Sequence, residues 1–306
     1  KDVMVSEAVV KSVHAALHKY RVTIKLLLGN LSDFSPPATS LPNSSLSLAD
    51  RIALHHLYAV STSVREALTS YEFHKAVNTL NHWITTDLSS FYIEAVKDIL
   101  YCSSPSGGRR RAVQTVLHHI LHQMQAMLGP LTPMLVEESW EHCPETLRAG
   151  QQPPLQRIWD PVPAEWYDEK LEKTYLPLIG SINTAVKSAQ ERARADKKMG
   201  SSLDSDVSII LDDADAITLL QPLGSQLAEI LVVSSLHFRR DGPAQSTVSW
   251  SNDAPIHNAD GKAIGTAYIY APKDRKCARC WRYLVVQEHA ALCRRCESVV
   301  EELEES

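Results

Sequence analysis

The chain has 306 residues, 44% hydrophobic and 22% charged, enough to bury more than one core and to form two or three domains. Thirty-one basic against thirty-six acidic side chains leave a net charge of −5, which excludes a uniformly basic nucleic-acid binder. No apolar run approaches the roughly eighteen residues that a membrane helix needs, so no membrane partner is expected.

The opening residues KDVMVSEAVV carry no initiator Met and no leader pattern, so they read as the interior of a longer chain. From 12 to 28, Val13, Leu17, Tyr20, Ile24, Leu27 and Leu28 recur at threes and fours, and Gly29-Asn30 supplies a stop, which predicts an amphipathic helix. The Pro- and Ser-rich stretch 33–48 has no period and predicts a loop or tether. A second helix follows on Leu57, Val60, Val64, Ala67 and Tyr71. A third and longest uses Val77, Leu80, Ile84, Leu88, Phe91, Ala95 and Ile99. SSPSGG at 103–108 breaks it. A fourth helix starts at Arg109 on Val113, Val116, Leu117, Ile120, Met124 and Met127, and Gly129-Pro130 closes it. Thr132 before Pro133 reads as an N-cap with proline at the first helical position, opening a short helix through Trp140.

Helices joined mostly by short connections predict an antiparallel bundle over residues 1–143. A proline-rich linker is expected at 144–164, then a connecting helix over 165–200. Residues 201–271 read as a small α+β domain, with strands expected in DVSIILDD and LAEILVVSSLHF around a helix near 213–221. The fold class is therefore mainly α, finished by a cysteine-rich knuckle with an acidic tail at 272–306.

Four of six cysteines form Cys277-x-x-Cys280 and Cys293-x-x-Cys296, twelve residues apart, while Cys102 and Cys143 stand alone. Each pair brings two thiolates to one tight turn, and two such turns complete a tetrahedron around one zinc ion. Four sulfurs leave no position for water, so the expected Zn2+ is structural and does no hydrolysis. The alternatives are four uncoordinated thiols or two disulfides. Sequons at Asn30 and Asn43 matter only in a secreted protein, which nothing else here suggests.

The knuckle holds Arg279, Trp281, Arg282, Arg294 and Arg295, a basic set followed by five Glu in 297–306. Guanidinium groups pair with phosphate and an indole stacks on an unpaired base, so the knuckle suits RNA. The competing reading has Trp281 packed over the metal site and the arginines merely solvated. Arg109-Arg110-Arg111 opens a helix, where side-chain charge and the helix N-terminus add and would favour an anion; a solvated turn is the alternative. His118, His119 and His122 share a helix without an acidic partner and read as core edge or surface. KMGSS at 198–202 lacks the second lysine of a synthetase KMSKS loop, and no phosphate-binding loop or hydrolase elbow occurs. No catalytic residue is expected in the chain.

Three blocks carry a resemblance: YRVTIKLLLGNLSDF at 20–34, DLSSFYIEAVKDILYC at 87–102, and RRAVQTVLHHIL at 110–121 leading to PLTPMLVEESW at 130–140. With KCARCW at 276–281 and LCRRC at 292–296, they resemble the C-terminal half of the isoleucyl-tRNA synthetases of the bacterial or organellar branch. The proline-spaced block is shared with the valyl, leucyl and methionyl relatives and alone says only anticodon-binding bundle. DLSSFY with KDILY and the terminal knuckle point to the isoleucine enzyme. Where that family shows Arg-Asn-Thr-x-Arg and Asp-Arg-Leu-Tyr, this chain has Arg21-Val22-Thr23-Ile24-Lys25 and Asp98-Ile99-Leu100-Tyr101, which puts an RNA contact at Ile99 in question.

The resemblance implies a tRNA(Ile)-binding portion of a class I ligase whose ATP- and Mg2+-dependent catalysis and editing lie outside this chain. Lys97, Arg109, Arg110, Arg111, Arg279, Trp281, Arg282 and Arg295 are the residues expected to face RNA. No DNA partner is expected, and a monomer is. The drift from the family pattern suggests the mitochondrial matrix, with a bacterial cytoplasm as the alternative. The competing functions are an unrelated zinc-ribbon module that grips DNA or protein, and a helical scaffold; steep salt dependence of RNA binding would separate the scaffold from the first reading.

Overall fold

The computed structural model describes residues 5–36, 45–239 and 248–304; Asn43, half of the tether and the last two tail residues lie outside them. The chain divides into two compact units, one built from 1–46, 50–90 and 108–167, the other from 47–49, 91–107 and 168–306. Among the described residues no helix is long and apolar enough to cross a membrane.

The first unit is helical. Helix α1 (Glu7–Asn30) starts at Ser6, whose hydroxyl accepts from the Val9 amide at 3.3 Å, and it ends as expected at Asn30, where the Leu31 N–H turns back to Leu27 and Leu28. Its buried face begins only at Tyr20. Val13 and Leu17 share the helical spacing but are exposed, so period alone overstates the core of this helix. Helices α2 (Leu48–Thr69), α5 (Gly108–Leu128) and α6 (Pro133–Glu141) follow the sequence reading, with Leu57, Val64, Val113, Leu117 and Met124 buried. Pro133 does open α6, but the Thr132 hydroxyl donates back to the Leu128 carbonyl and caps nothing.

The third predicted helix is three consecutive pieces: α3 (Phe73–Trp83), a π-helical stretch (Ile84–Ile93) and α4 (Glu94–Cys102). The reason lies in the spacing. Leu80, Ile84, Leu88, Tyr92 and Val96 are all buried at strict intervals of four, which an α-helix of 3.6 residues per turn would rotate off one face. The wider π turn keeps them aligned, and it buries Tyr92 in place of the expected Phe91.

The proline-rich residues that end this unit pack on its helices. The Trp159 indole donates to the Gln123 side chain at 3.0 Å, the Arg157 guanidinium lies 4.9 Å from the Trp140 ring centre, and Trp166 meets His119 edge-on at 4.9 Å. Helix α7 (Glu145–Arg148) is the only α-helical turn among these described residues.

In the second unit, α8 (Leu176–Ala195) packs on a mixed four-stranded sheet of order β2-β1-β4-β3, formed by β1 (Asp206–Leu211), β2 (Ser235–Phe238), β3 (Ser251–His257) and β4 (Ala263–Tyr270). Strand β1 runs parallel to β2 and antiparallel to β4; it is the strand expected in DVSIILDD, and it is interior to the sheet and almost wholly buried. Helix α9 (Ala214–Leu220) occupies the expected position.

LAEILVVSSLHF is not one strand. Its first half is helix α10 (Gly224–Ile230), which buries Leu227, Ala228 and Ile230, and only Ser235–Phe238 is extended. The helix ends on Val232 at φ 55°, with the Val233 N–H closing on the Ala228 carbonyl. Glycine usually fills such a left-handed stop; without it, the run of aliphatics reads as extended. A two-stranded ribbon, β5 (Arg275–Lys276) and β6 (Tyr283–Val285), and helix α11 (Arg294–Glu304) complete the chain.

Candidate functional site

The first CxxC turn links β5 to β6 and the second opens α11. The Cys277 amide donates to the Arg282 carbonyl at 2.9 Å and the Trp281 amide returns to the Cys277 carbonyl at 3.0 Å, which folds the first turn back on itself. The Ala278 amide reaches the Ala291 carbonyl at 3.1 Å, joining the two turns. Cys277, Cys280, Cys293 and Cys296 are all buried, are not in disulfides, and place their sulfurs within 4.8 Å of one another. Among the described residues this is the one such group of metal-binding side chains.

A tetrahedral ion with metal–sulfur bonds of about 2.3 Å needs sulfurs about 3.8 Å apart. The Cys280 and Cys293 sulfurs are 3.8 Å apart. Electrostatics also fits a cation. Burial works against ionisation of Cys277, yet backbone N–H groups of Cys280, Cys293 and Arg279 outweigh it and bring the thiol down to about 6. Burial, then neighbouring sulfurs, pushes Cys296 up to about 11 and raises Cys280 as well. Four thiolates this close repel one another, and a divalent cation at their centre removes that repulsion.

Trp281 does not cover the cluster. The apolar neighbours of the sulfurs are Val285, Ala290, Leu292 and the buried Cys102. The indole is 62% exposed, and the residue sits at φ 65°. A side chain in left-handed backbone costs about 1–2 kcal/mol, and an exposed indole recovers little of it by burial.

The arginines are engaged with the protein. Arg282 is 8% exposed; its guanidinium donates to the Val233 carbonyl at 3.1 Å and pairs with Asp98 at 3.1 Å. Arg295 pairs with the same carboxylate oxygen at 3.0 Å, and Arg279 donates to the Cys102 carbonyl at 2.6 Å. Lys97, on α4, forms an ion pair with Glu94 one turn away. A cavity of about 210 Å3 lies between α4 and the first CxxC turn, bordered by Lys97, Tyr101, Arg279 and Trp281. Tyr101 is 63% exposed beside it.

The second basic cluster lies in the other unit and is likewise paired. Arg109 bonds the fully buried Asp50 at 2.6 Å, Arg110 grips both oxygens of Asp33 at 2.5 and 3.1 Å, and Arg111 donates to the Asp33 carbonyl at 2.7 Å. The hydrogen bond from Arg110 holds the Asp33 carboxyl down at about 2. The helix N-terminus of α5 therefore already faces protein carboxylates.

His118 and His119 stay at the core edge, as read from sequence, where burial and then neighbouring imidazoles lower both to about 4. KMGSS is structural: Ser201 caps a short turn with the Asp204 carboxylate, which accepts from the Gly200 and Ser201 amides, and Met199 is buried. Ile99, where the resembling family carries arginine, is buried at 2% exposure. Sequence reading missed Asp98 and Tyr101. Both lie in the KDILY block, and their one signal was spacing at i and i+3, which places them on neighbouring surface of α4.

The profile described as "Anticodon-binding domain of tRNA ligase" matches residues 50–210. Curated relatives include the isoleucine–tRNA ligases of Symbiobacterium thermophilum, 33% identical over 98% of this chain, Moorella thermoacetica, 31% over 99%, and Desulforudis audaxviator, 33% over 98%. The chain spans about a third of those relatives' length, 31% of the first and 32% of the second. Bundle, sheet and four-cysteine knuckle thus accompany a match across more than half the sequence, and the chain belongs to the anticodon-binding domain family of tRNA ligases.

Proposed function

We propose that this chain is the anticodon-binding, zinc-carrying portion of an isoleucine–tRNA ligase, and that its partner is tRNA(Ile). The observation that carries the reading is Trp281: a large aromatic ring, exposed, in a backbone conformation that disfavours it, at the rim of a cavity shared with Tyr101 and Lys97. Neither packing nor backbone preference accounts for a tryptophan there, whereas stacking on an unpaired base does. Zn2+ on Cys277, Cys280, Cys293 and Cys296 would clamp the two turns, and through them the angle at which the indole is offered. Isoleucine activation with ATP and Mg2+ is assigned to the whole protein. Docking here would orient the acceptor end in a distant site through remote binding energy.

Of the basic residues, Lys97 and Arg279 border the same cavity as Trp281 and would supply phosphate contacts, while Arg295, paired with Asp98, would contribute through its charge. Arg282 would serve from beneath as a support. Arg109, Arg110 and Arg111 would contribute through the positive field of their helix end more than through direct contact, since their donors already meet carboxylates. The mitochondrial matrix remains our proposed compartment, tested by import of the tagged full-length protein.

The paired arginines favour one second reading, a scaffold whose charges serve folding alone. The two separate in a single titration of an RNA stem-loop bearing the isoleucine anticodon. Trp281→Gly relieves the backbone strain, so zinc content and thermal stability should hold while affinity falls about tenfold. For the parent chain, log affinity should decline with log salt. Equal affinity in Trp281→Gly, or binding indifferent to salt, would overturn the proposal.

A further inference from the structure

One carboxylate holds both halves of the cysteine module. Asp98 Oδ2 forms an ion pair with Arg282 Nε at 3.1 Å, next to the first CxxC turn, and accepts a hydrogen bond from Arg295 Nη2 at 3.0 Å, inside the second. Its side chain is only 12% exposed, and Arg282 is buried with it. Two further bonds fasten the same helix end: Arg279 Nη1 to the Cys102 carbonyl at 2.6 Å, and the Cys102 thiol to the Arg279 carbonyl at 3.6 Å. Three arginines of the module thus converge on one turn of α4, the turn that also displays Tyr101.

We infer that Asp98 is the positioning residue of the RNA-binding face: it fixes the cysteine module on α4 so that Trp281 and Tyr101 border the same cavity. The inference rests on the RNA-binding reading above and adds to it the residue that sets its geometry. Arg282 is the lever. It follows Trp281 directly, and its guanidinium is held inward by Asp98 and the Val233 carbonyl, which leaves the left-handed Trp281 pointing outward. An ion pair with water on one side would let this lever swing; a buried guanidinium held by a carboxylate and by a hydrogen bond to the Val233 carbonyl does not. None of the four clustered cysteines lies on α4, so zinc held by them would close the module without setting the distance between the two rings.

The separation of roles is testable on the whole 306-residue chain loaded with zinc. Asp98→Asn should retain one zinc by elemental analysis, because all four sulfurs remain. It should raise amide exchange in residues 275–285 and across the first turns of α11, and weaken binding of the anticodon stem-loop RNA about tenfold, with Asp98→Glu recovering part of the loss. If Asp98 acts through the indole, its substitution in a Trp281→Gly background should cost nothing further, a non-additivity that a general loss of stability would not give. Should Asp98→Asn fail to fold, Arg295→Gln removes one arm of the same clamp from a partly exposed position and should show the same exchange pattern. Unchanged exchange in the module, or full additivity with Trp281→Gly, would overturn the assignment. Absence of RNA binding by the parent chain would instead overturn the RNA-binding reading, and the exchange measurement would still judge the clamp.

Discussion

Asp33 illustrates how a basic triplet becomes a structural device. Three consecutive arginines at 109–111 look like an anion trap, yet Arg110 and Arg111 both converge on Asp33, and Gln114 donates to it as well at 2.9 Å. The folded carboxyl ionises at about 2 against an ordinary value of 3.8. As pH falls, the unfolded chain therefore takes up this proton first, so stability present above about pH 4 is lost between pH 4 and pH 2. Urea unfolding of Asp33→Asn across that window should show a flatter acid limb than the parent, while at neutral pH the variant should be weaker by about 1 kcal/mol, a modest figure because Asp33 is partly solvated. A limb of unchanged slope would mean that Asp33 keeps its ordinary affinity for protons.

At the scale of elements, the sheet depends on one absent side chain. Gly265 on β4 lies opposite Leu211 on β1, and a Cβ there would stand 2.2 Å from the Ile210 carbonyl oxygen. No rotamer relieves a clash with backbone. Gly265→Ala should destabilise the second unit by about 2–3 kcal/mol, seen as a lower thermal midpoint and faster amide exchange in both strands, with exchange in α5 unaffected. The π-helical stretch before α4 carries a parallel lesson: apolar residues at strict fours select a wider turn, and the phase of α4, and with it the direction of Asp98 and Tyr101, follows from that turn.

For the whole molecule, the two units divide the work between a helical body and a mixed fold closed by the cysteine module. Cys293→Ser should abolish zinc binding and raise exchange throughout 272–300, because a module whose buried neighbours are little more than Val285 and Cys102 has too small a core to fold without the ion. Circular dichroism should lose only a small part of its helical signal, since most helix lies in the other unit. Full zinc content in that variant would remove the metal site from this account.

Much of the body was legible along the chain. Periodicity at threes and fours, Gly-Asn and Gly-Pro stops and the two CxxC turns are local signals, each set by interactions within a few residues, and they located most helices and the four clustered thiols. Helix α10 was not legible, because its stop uses Val232 in a conformation that composition does not announce. Nor was the fate of the charges: whether Arg282 meets phosphate or Asp98 depends on which carboxylate another element brings within about 3 Å. The sequence by itself determined which residues could form a metal-clamped, base-stacking surface. Only tertiary packing decided which of them face outward, because burial and ion pairing are properties of neighbours far apart in the chain.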